Sequence, residues 1–163
     1  MLNLCLFHPE IPQNTGNIAR TCAVTGSRLH LIRPLGFDIS EKAVRHAGLD
    51  YWDKLSISVH DSLDELLQEA SDAYVYFFSK RGQHLFSEIE YKDDKDTFLI
   101  FGPESTGFDD ETIEREHDRV LRIPMKSGVR SLNLSNSVAI AAYEYYRQLR
   151  YPGFETIWGG DGV

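Results

Sequence analysis

Six apolar runs of strand length are spread along the chain: Leu2–Phe7, residues 29–32, a short run around Ile57 and Val59, Tyr74–Phe78, Thr97–Phe101 and residues 120–123. Most carry little polar alternation, which is the pattern of strands buried on both faces. Segments of helical spacing lie between them. Residues 14–25 place Ile18, Cys22 and Thr25 on one face, and Gly26 is placed to end the helix. Residues 41–47 read as a short helix stopped by Gly48. Asp61 reads as the N-cap of a helix over Leu63–Glu69, with Glu65 adding to it, and residues 109–114 suggest another. The longest element, residues 133–149, carries Leu134, Val138, Ala141, Tyr145 and Leu149 on one stripe. Strands alternating with helices predict an α/β domain, a mostly parallel sheet flanked by helices. In such sheets ligands gather at the loops after the strand C-termini. The loops after Phe78, Phe101 and Ile123 are therefore the ones to watch.

A chain of 163 residues fits one domain with a core of its own. Residues 1–153 are expected to form it. Residues 154–163 are expected to be a flexible tail, since Pro152, Gly153, Gly159, Gly160 and Gly162 cluster there. No run approaches the roughly 20 apolar residues of a membrane span. The start, Met1-Leu2-Asn3-Leu4, lacks the basic region of a signal peptide. Cys5 and Cys22 have no CxxC spacing and read as buried free thiols, which fits a reducing cytoplasm.

The net charge of −8 argues against a nucleic-acid partner, but the charge is segregated. Residues 88–114 hold ten acidic groups against Lys92 and Lys95, whereas residues 115–150 hold seven basic groups against three acidic ones. Arg20, Arg28, Arg33, Lys42 and Arg45 form an earlier basic set. A local basic face can coexist with an acidic total. The six histidines are scattered without metal-ligand spacing, so no metal is expected. The GxSxG elbow, the GxGxxG fingerprint and the P-loop are all absent.

Three polar constellations remain. Residues 12–20, Pro-Gln-Asn-Thr-Gly-Asn-Ile-Ala-Arg, join the first strand to the first helix. Asn14 and Arg20 share a site only if Asn14 precedes the helix; otherwise they read as an N-cap and a surface arginine. Residues 101–107, Phe-Gly-Pro-Glu-Ser-Thr-Gly, place two glycines straight after an apolar strand, where backbone can approach a ligand closely. Residues 123–125, Ile-Pro-Met, precede the run 131–137, Ser-Leu-Asn-Leu-Ser-Asn-Ser, which opens the last helix with more polar groups than one cap requires. Backbone donors there also suit an anionic group.

Together these constellations resemble motifs 1, 2 and 3 of the SPOUT RNA methyltransferases. Pro9-Glu10-Ile11-Pro12-x-Asn14-Thr15-Gly16-Asn17-Ile18, Pro34-x-Gly36-Phe37, Ala47-Gly48-Leu49-Asp50-Tyr51 and Tyr143-Glu144…Arg147-Gln148-Leu149 are similar to the small branch that methylates the ribose 2′-hydroxyl of the wobble nucleotide, cytidine or uridine 34, of tRNA. The resemblance covers about residues 1–153. It implies a C-terminal trefoil knot, S-adenosylmethionine as methyl donor, no metal, a homodimer, and the tRNA anticodon loop as partner. It places Phe78, Gly102, Glu104, Ile123, Ser131 and Leu132 at the cofactor, Arg20 with Asn14, Ser131 and Asn133 in catalysis, and Arg20, Arg130 and Tyr143 on RNA. For Arg20 two roles stand. It stabilises the developing alkoxide or clamps the adjacent phosphate, or it acts as a base; the first suits a guanidinium better. Residues 77–82 replace a threonine-rich stretch of the family, and Gly128-Val129-Arg130 also departs from it. A SPOUT enzyme for another tRNA or rRNA position, and a non-catalytic RNA- or nucleotide-binding module, are the competing readings.

Overall fold

The computed structural model describes residues 1–39 and 55–157. The expected helix over residues 41–47 and the Ala47–Tyr51 match therefore lie outside the described residues. Seven strands form one sheet: β1 (Leu2–Phe7), β2 (Arg28–Ile32), β3 (Ile57–His60), β4 (Tyr74–Phe78), β5 (His84–Leu85), β6 (Thr97–Phe101) and β7 (Val120–Arg122). Their order is β3-β2-β1-β6-β4-β7-β5, and every pairing is parallel. Among the described residues, helices α1 (Pro12–Thr25), α2 (Leu63–Glu69) and α3 (Asp110–Arg115) lie on the crossovers, and α4 (Leu134–Gln148) follows the last strand. No helix among them is long and apolar enough to cross a membrane.

Strand alternation builds two core layers. Leu4, Leu6, Leu29, Leu31, Leu99 and Phe101 face α1 and α4, meeting Ile18, Cys22, Val138, Ala141 and Tyr145. Cys5, Ile32, Val75, Phe77, Phe98 and Ile100 face the other way, onto Leu63 and Leu66 of α2 and onto Phe108. This is why β1 and β6 read as nearly continuous apolar runs, interrupted by Asn3 in β1 and led by Thr97 in β6. Both thiols are free and buried, and burial pushes Cys22 up to about 12. They are packing groups and not nucleophiles. Phe154 packs on Tyr146 at 4.8 Å and on Tyr151 at 5.9 Å between ring centroids, so this residue beyond 153 joins the core's edge.

Some boundaries differ from those expected. Helix α1 begins at Pro12, because a proline in the first turn forfeits only an N–H that has no partner there anyway. Ser62, not Asp61, caps α2: its Oγ accepts from Glu65 N–H at 3.1 Å, while Glu65 accepts from Asp61 N–H at 2.7 Å. The cap is one residue later than expected, since the Ser62 hydroxyl reaches the third helical N–H.

A polar ladder crosses the second layer. Asn3 Nδ2 donates to the Met1 and Thr97 carbonyls, so its Oδ1 must accept from His30 Nε2 at 3.1 Å. Neutral His30 then accepts at Nδ1 from His60 Nε2 at 2.9 Å. His60 Nδ1 lies 3.9 Å from Glu69. The two rings are 5.2 Å apart with planes 16° apart, an end-to-end arrangement that holds a shared proton. Burial and, secondarily, His60 lower His30 from 6.5 to about 4. The sign follows directly: the unfolded chain binds this proton below 6.5 and the folded chain does not. Stability is therefore full above that value and falls toward pH 4, by at most about 3 kcal/mol. Denaturant titrations at about pH 7 and about pH 4.5 should show this loss, and His30→Gln should shrink the difference between the two.

Candidate functional site

The strand order explains why the three constellations meet. Strands β1, β6, β4 and β7 are consecutive neighbours, so the loops leaving their C-terminal ends share one edge of the sheet. Between the loops lies a cavity of about 420 Å³, within the ~300–1,000 Å³ usual for small-molecule sites. Phe78 reaches it from the end of β4, Gly102 and Glu104 from the loop after β6, and Ile123 from just beyond β7. Arg130, Ser131, Leu132 and Asn133 close it from the entry to α4, and Asn14 from α1. Lys80, Arg81, Ser105 and Met125 also line it and are not among the residues expected from sequence. The Ser79-Lys80-Arg81-Gly82 turn straight after a strand was the available signal.

A chain of hydrogen bonds ties these loops together. The Glu104 carboxylate accepts from Glu10 N–H (2.8 Å), Ile11 N–H (3.2 Å) and Asn14 Nδ2 (3.1 Å). It thus supplies the negative group that the N-terminus of α1 favours. The N-cap of α1 is Ile11, which makes no side-chain cap bond, and Asn14 lies inside the first turn, 5% exposed. Asn14 Oδ1 accepts from Asn133 Nδ2 at 2.9 Å. Asn133 in turn caps α4, its Oδ1 accepting from the Ser135 N–H (2.9 Å), the Ser135 hydroxyl (2.7 Å) and the Asn136 N–H (3.4 Å). The helix starts of motif 1 and motif 3 are joined through two amides.

Close backbone packing shapes the rest. A Cβ on Gly102 would lie 2.9 Å from Phe108 N, so the loop after β6 folds onto itself only with glycine there. Its role is contact within the loop, in addition to any approach by a ligand. A Cβ on Gly82 would meet the Leu121 carbonyl carbon at 2.5 Å, which locks the 79–82 turn against β7. Arg122 donates to the Lys80 carbonyl, and Arg81 pairs with Asp110 at 2.7 Å. The cavity wall is therefore apolar at Phe78, Ile123 and Leu132, hydroxylic at Ser105 and Ser131, and cationic at Lys80, Arg81 and Arg130. Such a site suits a ligand with a flat apolar face, several polar edges and an anionic end.

Two expected site residues stand apart. Arg20 lies on the exposed side of α1, six residues beyond Asn14, and does not line the cavity. Six residues on a regular helix put it roughly 9 Å further along and ~120° around. Tyr143 is exposed on α4, its ring edge-on to Phe154 at 6.4 Å. Within one chain, then, the structure gathers Asn14, Phe78, Gly102, Glu104, Ile123, Arg130, Ser131, Leu132 and Asn133 and leaves Arg20 and Tyr143 outside.

Comparison with known proteins gives a consistent picture. The profile of the SpoU rRNA Methylase family matches residues 1–143. A Listeria monocytogenes serotype 4b (strain F2365) relative, provisionally named a tRNA (cytidine(34)-2′-O)-methyltransferase, is 49% identical over 150 residues, covering 91% of this chain and 89% of its own. The Escherichia coli (strain K12) tRNA (cytidine(34)-2′-O)-methyltransferase is 41% identical over 154 residues, covering 94% and 97%. Among solved structures, one concerned with 2-OH methylation of C/U34 on tRNA superposes with a TM-score of 0.83 at 48% identity, covering 92% of this chain and 97% of that one. An AdoMet-bound rRNA methyltransferase from Sinorhizobium meliloti gives a TM-score of 0.78 at 25% identity, covering 91% and 56%.

Proposed function

The chain belongs to the SpoU rRNA methylase family, and from that premise we propose that it transfers a methyl group from S-adenosylmethionine to the ribose 2′-hydroxyl of nucleotide 34, cytidine or uridine, of tRNA. The observation that carries this reading is the convergence of three sequence-distant turns on one cavity at the C-terminal edge of β6, β4 and β7. The relatives' names and the C/U34 structure supply the substrate.

The residues fit the donor. Phe78, Ile123 and Leu132 offer apolar surface to an adenine, the turns offer backbone polar groups to its edges, and Lys80, Arg81 or Arg130 can pair a carboxylate. When bound, S-adenosylmethionine supplies an electrophilic methyl group on a sulfonium. The chain's own part is positioning and electrostatics. Asn14 and Asn133 fix the two helix starts that flank the reacting edge, and Ser131 presents a hydroxyl there. Arg130 is placed to meet a phosphate. Arg20 stabilises the negative charge gathering on the 2′-oxygen as its proton passes to solvent, or holds the adjacent phosphate.

A homodimer completes this arrangement. Val24 of α1 and Ile140 and Tyr143 of α4 are exposed, at 62%, 40% and 42%, and they lie on two helices that pack together. A second copy seated on this face buries them and brings an Arg20 toward the neighbouring cavity. The last part of the fold is proposed to be a trefoil knot. In support, α4 is held against β1 and β6 and the segment before β6 packs on it: Tyr91 N–H donates to Gln148 at 3.1 Å and the Tyr91 ring packs on Tyr145 at 5.7 Å.

Incubation with S-adenosylmethionine and unmodified tRNA, followed by nucleoside mass spectrometry of mapped fragments, tests the function. A 2′-O-methylated nucleoside at position 34 is expected. Methylation confined to another position would replace the substrate assignment, and absence of S-adenosylmethionine binding at about millimolar ligand would remove the methyltransferase reading altogether.

A further inference from the structure

We propose that Glu10 is a positioning residue for the cofactor: its carboxylate holds the turn that follows β6 in the shape that walls the cavity. The inference rests on the reading that this cavity takes S-adenosylmethionine. Glu10 does not line the cavity itself. Its Oε2 accepts from the Ser105 N–H at 2.7 Å and its Oε1 from the Ser105 hydroxyl at 2.6 Å, across 95 residues of sequence. These two bonds are reciprocal to the one in which Glu104 accepts from Glu10 N–H. Each glutamate carboxylate is thus bound by backbone of the other's loop, and the two loops are cross-strapped.

The strap is anchored at its far end. Gly36 N–H donates to the Pro9 carbonyl at 2.9 Å, and a Cβ on Gly36 would lie 2.8 Å from Glu10 Cα. The Glu10 backbone is therefore gripped by the Gly36 loop on one side and by Glu104 on the other, and its side chain transmits that fixed position to Ser105. The turn has few other ties. Gly107 N–H closes it onto the Pro103 carbonyl at 2.9 Å, and the Thr106 hydroxyl bonds within it at 3.1 Å. Ser105 and Thr106 are exposed. Yet Gly102 through Thr106 line the cavity without interruption. The two Ser105 donors also hold the Glu10 carboxyl below its ordinary range, which keeps it charged as an acceptor.

Because Glu10 is exposed, its loss removes little from the fold and acts on the turn. The experiment compares wild type, Glu10→Ala, Glu10→Gln and Ser105→Ala as full chains. Calorimetry gives the Kd for S-adenosylmethionine, and steady-state methyl transfer to tRNA gives KM and kcat. For Glu10→Ala the expected result is a Kd and KM for S-adenosylmethionine raised about tenfold, with kcat within about twofold and an unchanged thermal midpoint. Glu10→Gln keeps an acceptor for one donor and should recover most of the affinity. Ser105→Ala keeps the backbone bond and should cost about threefold. The double variant should be no worse than Glu10→Ala. A wild-type Kd in Glu10→Ala overturns the strap while leaving the methyltransferase reading intact, as does a loss of kcat with KM unchanged. A wild-type chain that binds no S-adenosylmethionine defeats the methyltransferase reading itself, and the inference with it.

Discussion

Arg20→Ala will reduce methyl transfer by at least about 10²–10³-fold while leaving S-adenosylmethionine affinity at the wild-type value. The first half of this expectation rests on the role proposed for Arg20, the second on its position. Arg20 lies outside the cavity and on the exposed side of α1, so its removal opens no void and disturbs no cofactor contact. A positive charge placed where a ribose oxygen becomes negative acts only as the transition state forms, and its loss appears in kcat. Arg20→Lys separates the two roles. A lysine keeps charge but loses the two-pronged geometry for a phosphate, so a clamp would raise KM for tRNA and an alkoxide partner would lower kcat. The separation of Arg20 from Asn14 within one chain adds a sharper test. If Arg20 serves the cavity of the neighbouring subunit, mixing inactive Arg20→Ala with an inactive variant at Asn133 should restore activity in the hybrid dimers, where one site has both residues intact. No recovery on subunit exchange would place both groups in one chain and count against the shared site.

Much of this architecture is legible in the sequence because strands buried on both faces need unbroken apolar runs. Tyr74–Phe78 and Thr97–Phe101 stand where they were expected, to the residue. The short edge strand β5 was not legible: His84–Leu85 has no hydrophobic pattern, and its pairing with β7 is a consequence of the 79–82 turn locked by Gly82. Nine of the expected site residues line or close the cavity, since loops after neighbouring parallel strands must share an edge. What the chain could not reveal is who bonds whom across long sequence distances. Glu10 and Ser105 are 95 residues apart, and nothing local marks either as the other's partner. His30 and His60 read as scattered; strand register brings them together, Ile32 pairing with His60 on the face that His30 shares. Arg20 shows the converse: its spacing from Asn14 on a helix that begins at Pro12 already separates them.

Asn14→Asp should be the most damaging conservative change in the site, more so than Asn14→Ala, because it alters chemistry without altering shape. Asn14 donates through Nδ2 to Glu104 and accepts through Oδ1 from Asn133. An aspartate keeps the second bond and inverts the first, setting two carboxylate oxygens about 3 Å apart. Alanine merely leaves Glu104 one donor short, with the Ile11 N–H still in place, and leaves the Asn133 amide to solvent. That loss is worth about 1–2 kcal/mol, whereas the inverted contact adds like-charge repulsion at a residue 5% exposed, for a total of about 2–4 kcal/mol near pH 8. The sign of the pH dependence distinguishes the two. Repulsion raises the pKa of the carboxyl pair above its unfolded value, so the penalty is lifted as pH falls and one oxygen becomes a donor again. Asn14→Asp should therefore regain stability toward about pH 5, the direction opposite to the loss that His30 imposes on the wild type. Adding Glu104→Gln to Asn14→Asp removes the like-charge pair and should recover stability at pH 8 in part, since a glutamine cannot accept from both Glu10 and Ile11 as the carboxylate does. Denaturant midpoints of the three variants at the two pH values decide the matter. An Asn14→Asp chain as stable as wild type at pH 8 would mean that Asn14 does not donate to Glu104 in solution.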